Sequence, residues 1–192
     1  MDANTVGGME SELTPRQIRL IQSIADFQMA LSAVDFMCEL EEDQHLTRVE
    51  RRRHRCFEDS AVIAYGRAFT AANGLPALSF KQLKLNPTDA ELVLHGRLLE
   101  RRHKVIAHSD ADRQRLLFVT ESFVAKHMTV MLPHVDFDDA LAFFPDRLLL
   151  VEWLRRLIEA AGKILFDQVQ SMPEIRFVRD HTLAAEAEAR TP

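Results

Sequence analysis

The chain has 192 residues, enough for one domain with a substantial core. Hydrophobic residues make up 47% and charged residues 28%, proportions that are ordinary for a globular protein. The two cysteines, Cys38 and Cys56, are too few for a disulfide framework and lack metal-site spacing. The polar N-terminus has no signal-peptide pattern, and no stretch approaches about 20 apolar residues. We therefore expect a cytoplasmic protein with no membrane association.

Charge is distributed unevenly along the chain, whose net charge is −5. Residues 48–104 carry 12 Lys and Arg against 6 Asp and Glu, whereas the remainder carries 12 against 23. A basic middle in an acidic protein can meet a polyanion locally. The alternative is a set of solvated helix faces, which charge alone does not exclude.

Three segments divide the chain by composition. Residues 1–12 are expected to be a disordered N-terminal segment, residues 13–172 a helical domain, and residues 173–192 a loosely attached C-terminal tail. The sequence contains no internal repeats.

The first two helices have clear start signals. Thr14 followed by Pro15 places a capping hydroxyl before a proline at the first helical position, and we expect this helix to run to about Glu42. The second helix should start near Thr47 and end near Asn73, where Asn-Gly breaks it. The predicted inner face of the first helix comprises Ile18, Ile21, Ala25, Met29, Ser32 and Phe36.

The second half of the domain is expected to hold two more helices and a small hairpin. Asn86-Pro87-Thr88 opens a third helix that should end near Ala107. Residues 115–120 and 123–131 are predicted as two strands around a turn at Glu121-Ser122, although the second run is equally compatible with a helix.

The last helix begins at Pro145 and ends before Pro173. Its wide apolar face comprises Leu149, Trp153, Leu154, Leu157, Ile158, Ala161, Ile164, Leu165 and Val169. Short connections favour antiparallel packing. The predicted fold class is therefore all-α in the main: an antiparallel four-helix bundle with a small β-hairpin inserted before the last helix.

The third helix places a cation among apolar residues. Its inner arc comprises Leu92, Leu94, Leu98, Leu99, Val105 and Ile106. Arg102 and His95 fall inside this arc, and burying an unpaired guanidinium costs several kcal/mol. Attraction of cations to the negative end of the helix dipole explains Arg101 and Lys104. It explains Arg102 poorly, because Arg102 lies within the apolar arc.

Three explanations for Arg102 remain open. It pairs with a carboxylate of the first helix, where Asp35 and Glu39 are candidates; it lies at a seam between two subunits; or it lines a cleft that receives an anion. His108, six residues later, follows at the point where the cap-forming Ser109-Asp110 ends the helix. Both side chains can therefore reach one pocket.

Residues 102–110, Arg-His-Lys-Val-Ile-Ala-His-Ser-Asp, resemble the signature of the HEPN superfamily (higher eukaryotes and prokaryotes nucleotide-binding). That motif is an arginine, a polar residue and a histidine after four to six intervening residues, and here five intervene. Residues 65–69, Tyr-Gly-Arg-Ala-Phe, and the pair Leu94-His95 are similar to features of HEPN-like proteins associated with phage abortive infection. The resemblance covers roughly residues 45–112.

The resemblance implies a homodimeric, metal-independent endoribonuclease whose composite cleft joins the motifs of two subunits, with no cofactor. His108 would be the general base or acid, for which an imidazole pKa near 6.5 is suitable. Arg102 would stabilise charge on the phosphate, and His103 would orient the pair. Arg67, Lys104 and Arg101 are candidate substrate contacts, with a structural or solvated role as the alternative.

Two functional hypotheses follow. The first is an RNA-cleaving enzyme that forms 2′,3′-cyclic phosphate, in the setting of a toxin or phage-defence effector with an antitoxin or defence partner. The second is a catalytically inactive HEPN-like module that binds nucleotide, RNA or another protein. A metal site is not expected, because His95, His103 and His108 lack the i, i+4 pairing typical of helical ligands.

Overall fold

The computed structural model of the chain describes residues 13–41, 44–72, 74–103, 116–125, 128–137 and 140–170. The predicted N-terminal segment 1–12 and tail 173–192 lie outside the described residues. No helix within the described ranges is both long enough and apolar enough to cross a membrane.

Four helices account for most of the described domain, as the sequence predicted: α1 (Pro15–Cys38), α2 (Arg48–Ala68), α3 (Asp89–Arg101) and α4 (Arg147–Val169). The first three begin with the same capping box. The side chain of Thr14, Thr47 or Thr88 accepts the backbone N–H of the residue three positions on, whose own side chain accepts the threonine N–H. A single 3-10 turn, Phe144–Asp146, precedes α4.

α1 and α2 end earlier than predicted, at Cys38 and Ala68. At the end of α2 the backbone tightens, with the Thr70 N–H donating to the carbonyl of Arg67 at 3.3 Å. The guanidinium of Arg19 on α1 donates to the same Arg67 carbonyl and to that of Thr70. A tertiary contact therefore satisfies carbonyls at the end of α2, which the sequence signal at Asn73 does not reveal.

The helices surround one core. α1 packs against α2 and α4, and α3 packs against the same two helices. The largest fully buried side chains are Trp153, Tyr65, Phe27, Met37, Leu83, Leu94, Leu98, Leu154 and Leu157. Trp153 is thus a core residue, as predicted, and the predicted inner face of α4 is confirmed except at Val169, which is exposed. On α3, Leu94 and Leu98 are buried and Leu99 is half-buried, Leu92 is exposed, and Val105 and Ile106 lie outside the described residues.

The predicted inner face of α1 is wrong. Met29 and Phe36 are 56% and 44% exposed, and Ala25 and Ser32 are also exposed. The buried face instead comprises Arg19, Leu20, Ser23, Phe27, Ala30, Ala33, Val34 and Met37. α1 carries apolar residues on two sides, so periodicity alone could not tell which side faces the core.

Between α3 and α4 lies an antiparallel two-stranded hairpin, β1 (Leu116–Ala125) and β2 (Met128–Phe137). The predicted turn at Glu121-Ser122 is wrong, because these residues lie within β1 opposite Leu132 and Met131. Glu-Ser lacks the glycine, asparagine or aspartate that a tight hairpin turn requires, so the strand continues through it.

The segment that follows the hairpin is held by α2 and α3. Glu58 is buried, and its carboxylate accepts the backbone N–H groups of Ala142 and Phe143 at 3.1 and 2.8 Å. Arg97 donates to the Ala142 carbonyl at 3.0 Å and pairs with Asp146 at 2.6 Å. These contacts join the start of α4 to the two helices that carry the candidate site.

Candidate functional site

Arg102 follows the last residue of α3 and continues the helical backbone, its N–H donating to the carbonyls of Leu98 and Leu99. Its half-buried side chain lies directly against Gly66 in the last turns of α2. A Cβ at position 66 would be 2.4 Å from Arg102 Cδ and 3.1 Å from its Cγ, far closer than van der Waals contact allows. The path of the arginine therefore depends on the absence of a side chain at Gly66.

The guanidinium of Arg102 has no carboxylate partner among the described residues. Its one hydrogen-bonding contact there joins Nη1 to Nδ1 of the neighbouring His103, at 3.3 Å. Asp35 and Glu39, the candidate partners on α1, are exposed. Pairing with an internal acid, the first of the three explanations, is thus not found in the described part of the chain.

Arg102 instead lines a cleft of about 380 Å³ beside α1 and the end of α2. We call this the α1–α2 cleft. Its charged lining residues are three arginines, Arg19, Arg67 and Arg102, and one acid, Asp26, for a net formal charge of +2. A concave surface of this charge attracts anions.

Arg19 is 5% exposed and supplies a buried charge beside the cleft. Its Nε donates to the Pro76 carbonyl at 2.7 Å, and its two terminal nitrogens donate to the carbonyls of Arg67, Thr70 and Leu75 at 3.3, 3.1 and 3.4 Å. Burial lowers the pKa of Arg19, and the nearby Asp26 charge opposes that shift. The carbonyls satisfy its N–H groups without neutralising its charge.

Arg67 and Asp26 form an ion pair across α1 and α2, with Arg67 Nη2 2.7 Å from Asp26 Oδ1. The Arg67 side chain is 52% exposed, so part of its guanidinium is open to solvent. Burial raises the pKa of Asp26 more than the two neighbouring arginines lower it. The pair therefore keeps Arg67 in place at the cleft while leaving it accessible.

Tyr65 of α2, His95 of α3 and Trp153 of α4 are linked by hydrogen-bonding contacts across the core. The indole N–H of Trp153 donates to the Tyr65 hydroxyl at 3.0 Å, and the hydroxyl in turn contacts Nδ1 of His95 at 2.7 Å. With the Tyr65 hydroxyl as donor to Nδ1, a neutral His95 carries its proton on Nε2. Rings of Phe69 and Phe80 lie edge-on to His95, with centroids 4.7 and 4.8 Å away.

These contacts divide the motif at residues 65–69 into two parts. Tyr65 and Phe69 are core residues, whereas Arg67 between them faces the cleft. His95, the other residue of the resemblance on α3, is tied to Tyr65 and belongs to the same supporting layer. The motif therefore places Arg67 at the cleft, between two aromatic residues that are packed in the core.

Acidification should destabilise the fold through His95. Burial lowers its folded-state pKa below the ordinary 6.5, so the unfolded chain binds a proton at higher pH than the folded chain does. The contribution of neutral His95 to the free energy of unfolding should therefore be fully present above pH 6.5. It should decrease as the pH drops from 6.5 through the folded-state pKa. Urea unfolding between pH 7.5 and 5 measures this loss.

His95→Gln, which stays uncharged, should reduce that pH dependence. His54, whose pKa is also lowered mainly by burial, should contribute a separate part that His54→Gln removes. An unchanged slope in the His95→Gln protein would contradict the assignment.

The remaining sequence-predicted residues lie apart from the cleft or outside the described residues. Arg101 is 15% exposed and faces Asp59 of α2, with Nη2 3.6 Å from Oδ1, so its described contact is an ion pair between helices. His103 is exposed beside Arg102. Lys104 and His108 lie outside the described residues, and their roles stay predictions.

Sequence reasoning missed Arg19 and Asp26. Both lie on α1, and neither belongs to the inner face that the sequence predicted for this helix. The buried stripe through Leu20, Phe27 and Val34 repeats every seven residues, but Ala25 and Ser32 on the exposed side have the same spacing, so periodicity alone does not place Arg19 at the core boundary.

Comparison with known proteins leaves the family of the chain open. No family model, curated protein or solved structure matches it. Within the described ranges, no group of three or more His, Cys, Asp or Glu side chains is placed to hold a metal ion. The chemistry of the cleft is therefore the feature of the described structure that bears on function.

Proposed function

We propose that the protein is a HEPN-type endoribonuclease that acts as a homodimer, in the setting of a toxin or phage-defence effector. One observation carries the proposal: Arg102, a partly buried residue, lines a cleft of net positive charge without a carboxylate partner among the described residues. A guanidinium at a concave surface of net positive charge is suited to bind an anion, and a phosphodiester is such an anion.

The reaction needs no covalent enzyme intermediate. His108 takes the proton of the ribose 2′-hydroxyl, whose oxygen attacks the adjacent phosphorus. The bond from phosphorus to the 5′-oxygen breaks, the leaving oxygen takes up a proton, and a 2′,3′-cyclic phosphate remains. Arg102 donates to the phosphate oxygens as charge builds on them, and His103, in contact with Arg102 Nη1, helps to orient the guanidinium.

Arg102→Gln and His108→Ala should each lower RNA cleavage by about 100- to 1,000-fold, the usual effect of removing one transition-state donor or one general base. Cleavage of a fluorescent RNA oligonucleotide, with EDTA present, measures the effect, and product analysis should detect the cyclic phosphate. The matched control is Arg155→Gln, an exposed arginine of α4 that should cleave like wild type. Equal rates in all four proteins would remove the catalytic proposal.

A binding role without catalysis is the second candidate. Arg19, Arg67 and Arg102, opposed only by Asp26 among the lining residues, give the cleft its positive charge within a single chain, independently of His108. An inactive HEPN-like module that binds nucleotide or RNA would use this charge in the same way. Tight RNA binding by the wild-type protein with no cleavage under any condition would favour this candidate.

A further inference from the structure

The described contacts within the α1–α2 cleft do not neutralise all of its positive charge. Arg19 is satisfied by backbone carbonyls, which leave its charge in place. Arg67 is paired with Asp26 through one terminal nitrogen and remains half exposed. The Arg102 side chain forms a hydrogen bond only with His103 among the described residues. One acid therefore faces three arginines.

The donors that remain available are arranged around one space. Arg67 is paired with Asp26 only through Nη2 and its side chain is 52% exposed. Arg102 enters the same cleft along Gly66, the residue next to Arg67. Thr70 also lines the cleft, but its hydroxyl is engaged with the Gly66 carbonyl at 2.8 Å. Two guanidinium groups from neighbouring helices, together with the buried charge of Arg19 in the same lining, suit a planar-fork contact with a tetrahedral oxyanion.

We propose that the α1–α2 cleft is a phosphate-binding subsite within each single chain, with Arg67 and Arg102 as its direct ligands and Arg19 as a buried supporting charge. The inference rests on the proposed function only in sharing Arg102, since neither His108 nor a second subunit is needed for it. Its ligand is the phosphate of a nucleotide or of an RNA strand.

The negative charge of Asp26 distinguishes a phosphate-binding subsite from a purely structural ion pair. Its carboxylate is paired with Nη2 of Arg67 and repels any anion that enters the cleft. Removing that charge should therefore strengthen phosphate binding, whereas removing a charge from Arg67 should weaken it. A purely structural ion pair would not produce these opposite effects, because loss of either partner would simply loosen the same contact.

Isothermal titration calorimetry on the full chain tests the proposal with three probes: inorganic phosphate, 5′-AMP and a 2′-O-methyl RNA oligonucleotide that cannot be cleaved. Arg67→Gln should weaken binding by about tenfold, as expected for loss of a charge-assisted hydrogen bond. Asp26→Asn should strengthen it roughly threefold at low salt. His108→Ala and Arg155→Gln should bind like wild type.

The three probes distinguish the sources of the phosphate. Comparable binding of inorganic phosphate and 5′-AMP supports a phosphate monoester, and binding of the oligonucleotide alone supports a phosphodiester of RNA. Absence of binding to all three, or equal binding by wild type, Arg67→Gln and Asp26→Asn proteins that remain folded by circular dichroism, would overturn the subsite.

The two proposals fail separately. Lost cleavage in His108→Ala with intact phosphate binding is the result expected if both hold. Cleavage that persists in Arg102→Gln, accompanied by weakened phosphate binding, would remove the ribonuclease proposal and leave the subsite standing.

Discussion

Gly66→Ala should lower RNA cleavage about 100-fold, because the new methyl group would occupy the path of Arg102. The Cβ would meet Arg102 Cδ at 2.4 Å, in the middle of the side chain rather than at its mobile end. The guanidinium must then move, and a shift of about 1 Å at a catalytic group can cost two orders of magnitude in rate. Cleavage of the RNA oligonucleotide measures the effect.

Two other helical glycines provide matched controls. A Cβ at Gly96 of α3 or Gly162 of α4 would meet nothing within 4 Å. Gly96→Ala and Gly162→Ala should therefore cleave like wild type and gain up to about 1 kcal/mol of stability from helix propensity. A wild-type rate in Gly66→Ala would show that the position of Arg102 does not matter for the reaction.

A double-mutant cycle isolates the contact between Gly66 and Arg102. In the Arg102→Ala background the arginine atoms beyond Cβ are gone, so Gly66→Ala should stabilise the protein as the two control substitutions do. Equal effects of Gly66→Ala on unfolding free energy in both backgrounds would contradict the proposed contact.

Arg19→Met should lower the free energy of unfolding by roughly 3 kcal/mol. The substitution keeps an apolar chain of similar length but removes the donors to four carbonyls of residues 67–76. The carbonyls of Arg67 and Leu75 also accept backbone N–H groups, so they keep a hydrogen bond without Arg19. The substitution therefore mainly removes the hydrogen bonds to the carbonyls of Thr70 and Pro76. Urea unfolding monitored by circular dichroism measures the change.

Arg16→Met is the control for that experiment, one turn earlier on the same helix. Arg16 is exposed, so its replacement should change stability by no more than about 0.5 kcal/mol. If both variants unfold at the same urea concentration, Arg19 contributes nothing special to the connection after α2.

Some parts of the site could be predicted from the sequence and others could not. Arg102 was singled out because a cation interrupts an apolar arc on α3, and the structure does place its side chain half-buried at a cleft. Arg67 was singled out by resemblance, and it lines the same cleft. Asp26 and Arg19 were missed because nothing in the local pattern of α1 distinguishes its two apolar sides.

The sequence by itself determined the helical character of the domain and the start of its first three helices. These features are local: each capping box joins a threonine to a residue three positions away, so the signal and the structure lie in one short window. The same holds for Arg102, whose conflict with Leu94 and Leu98 appears within three turns of one helix.

Only the tertiary structure decided which face of α1 is buried, where α2 ends and which charges share the cleft. Arg19 donates to carbonyls 48 to 57 residues later in the chain, and Gly66 accommodates an arginine 36 positions away. Such contacts depend on how helices pack rather than on the period of any one helix. Backbone carbonyls carry no sequence signal, and so a partner made of carbonyls becomes visible only when the chain is folded.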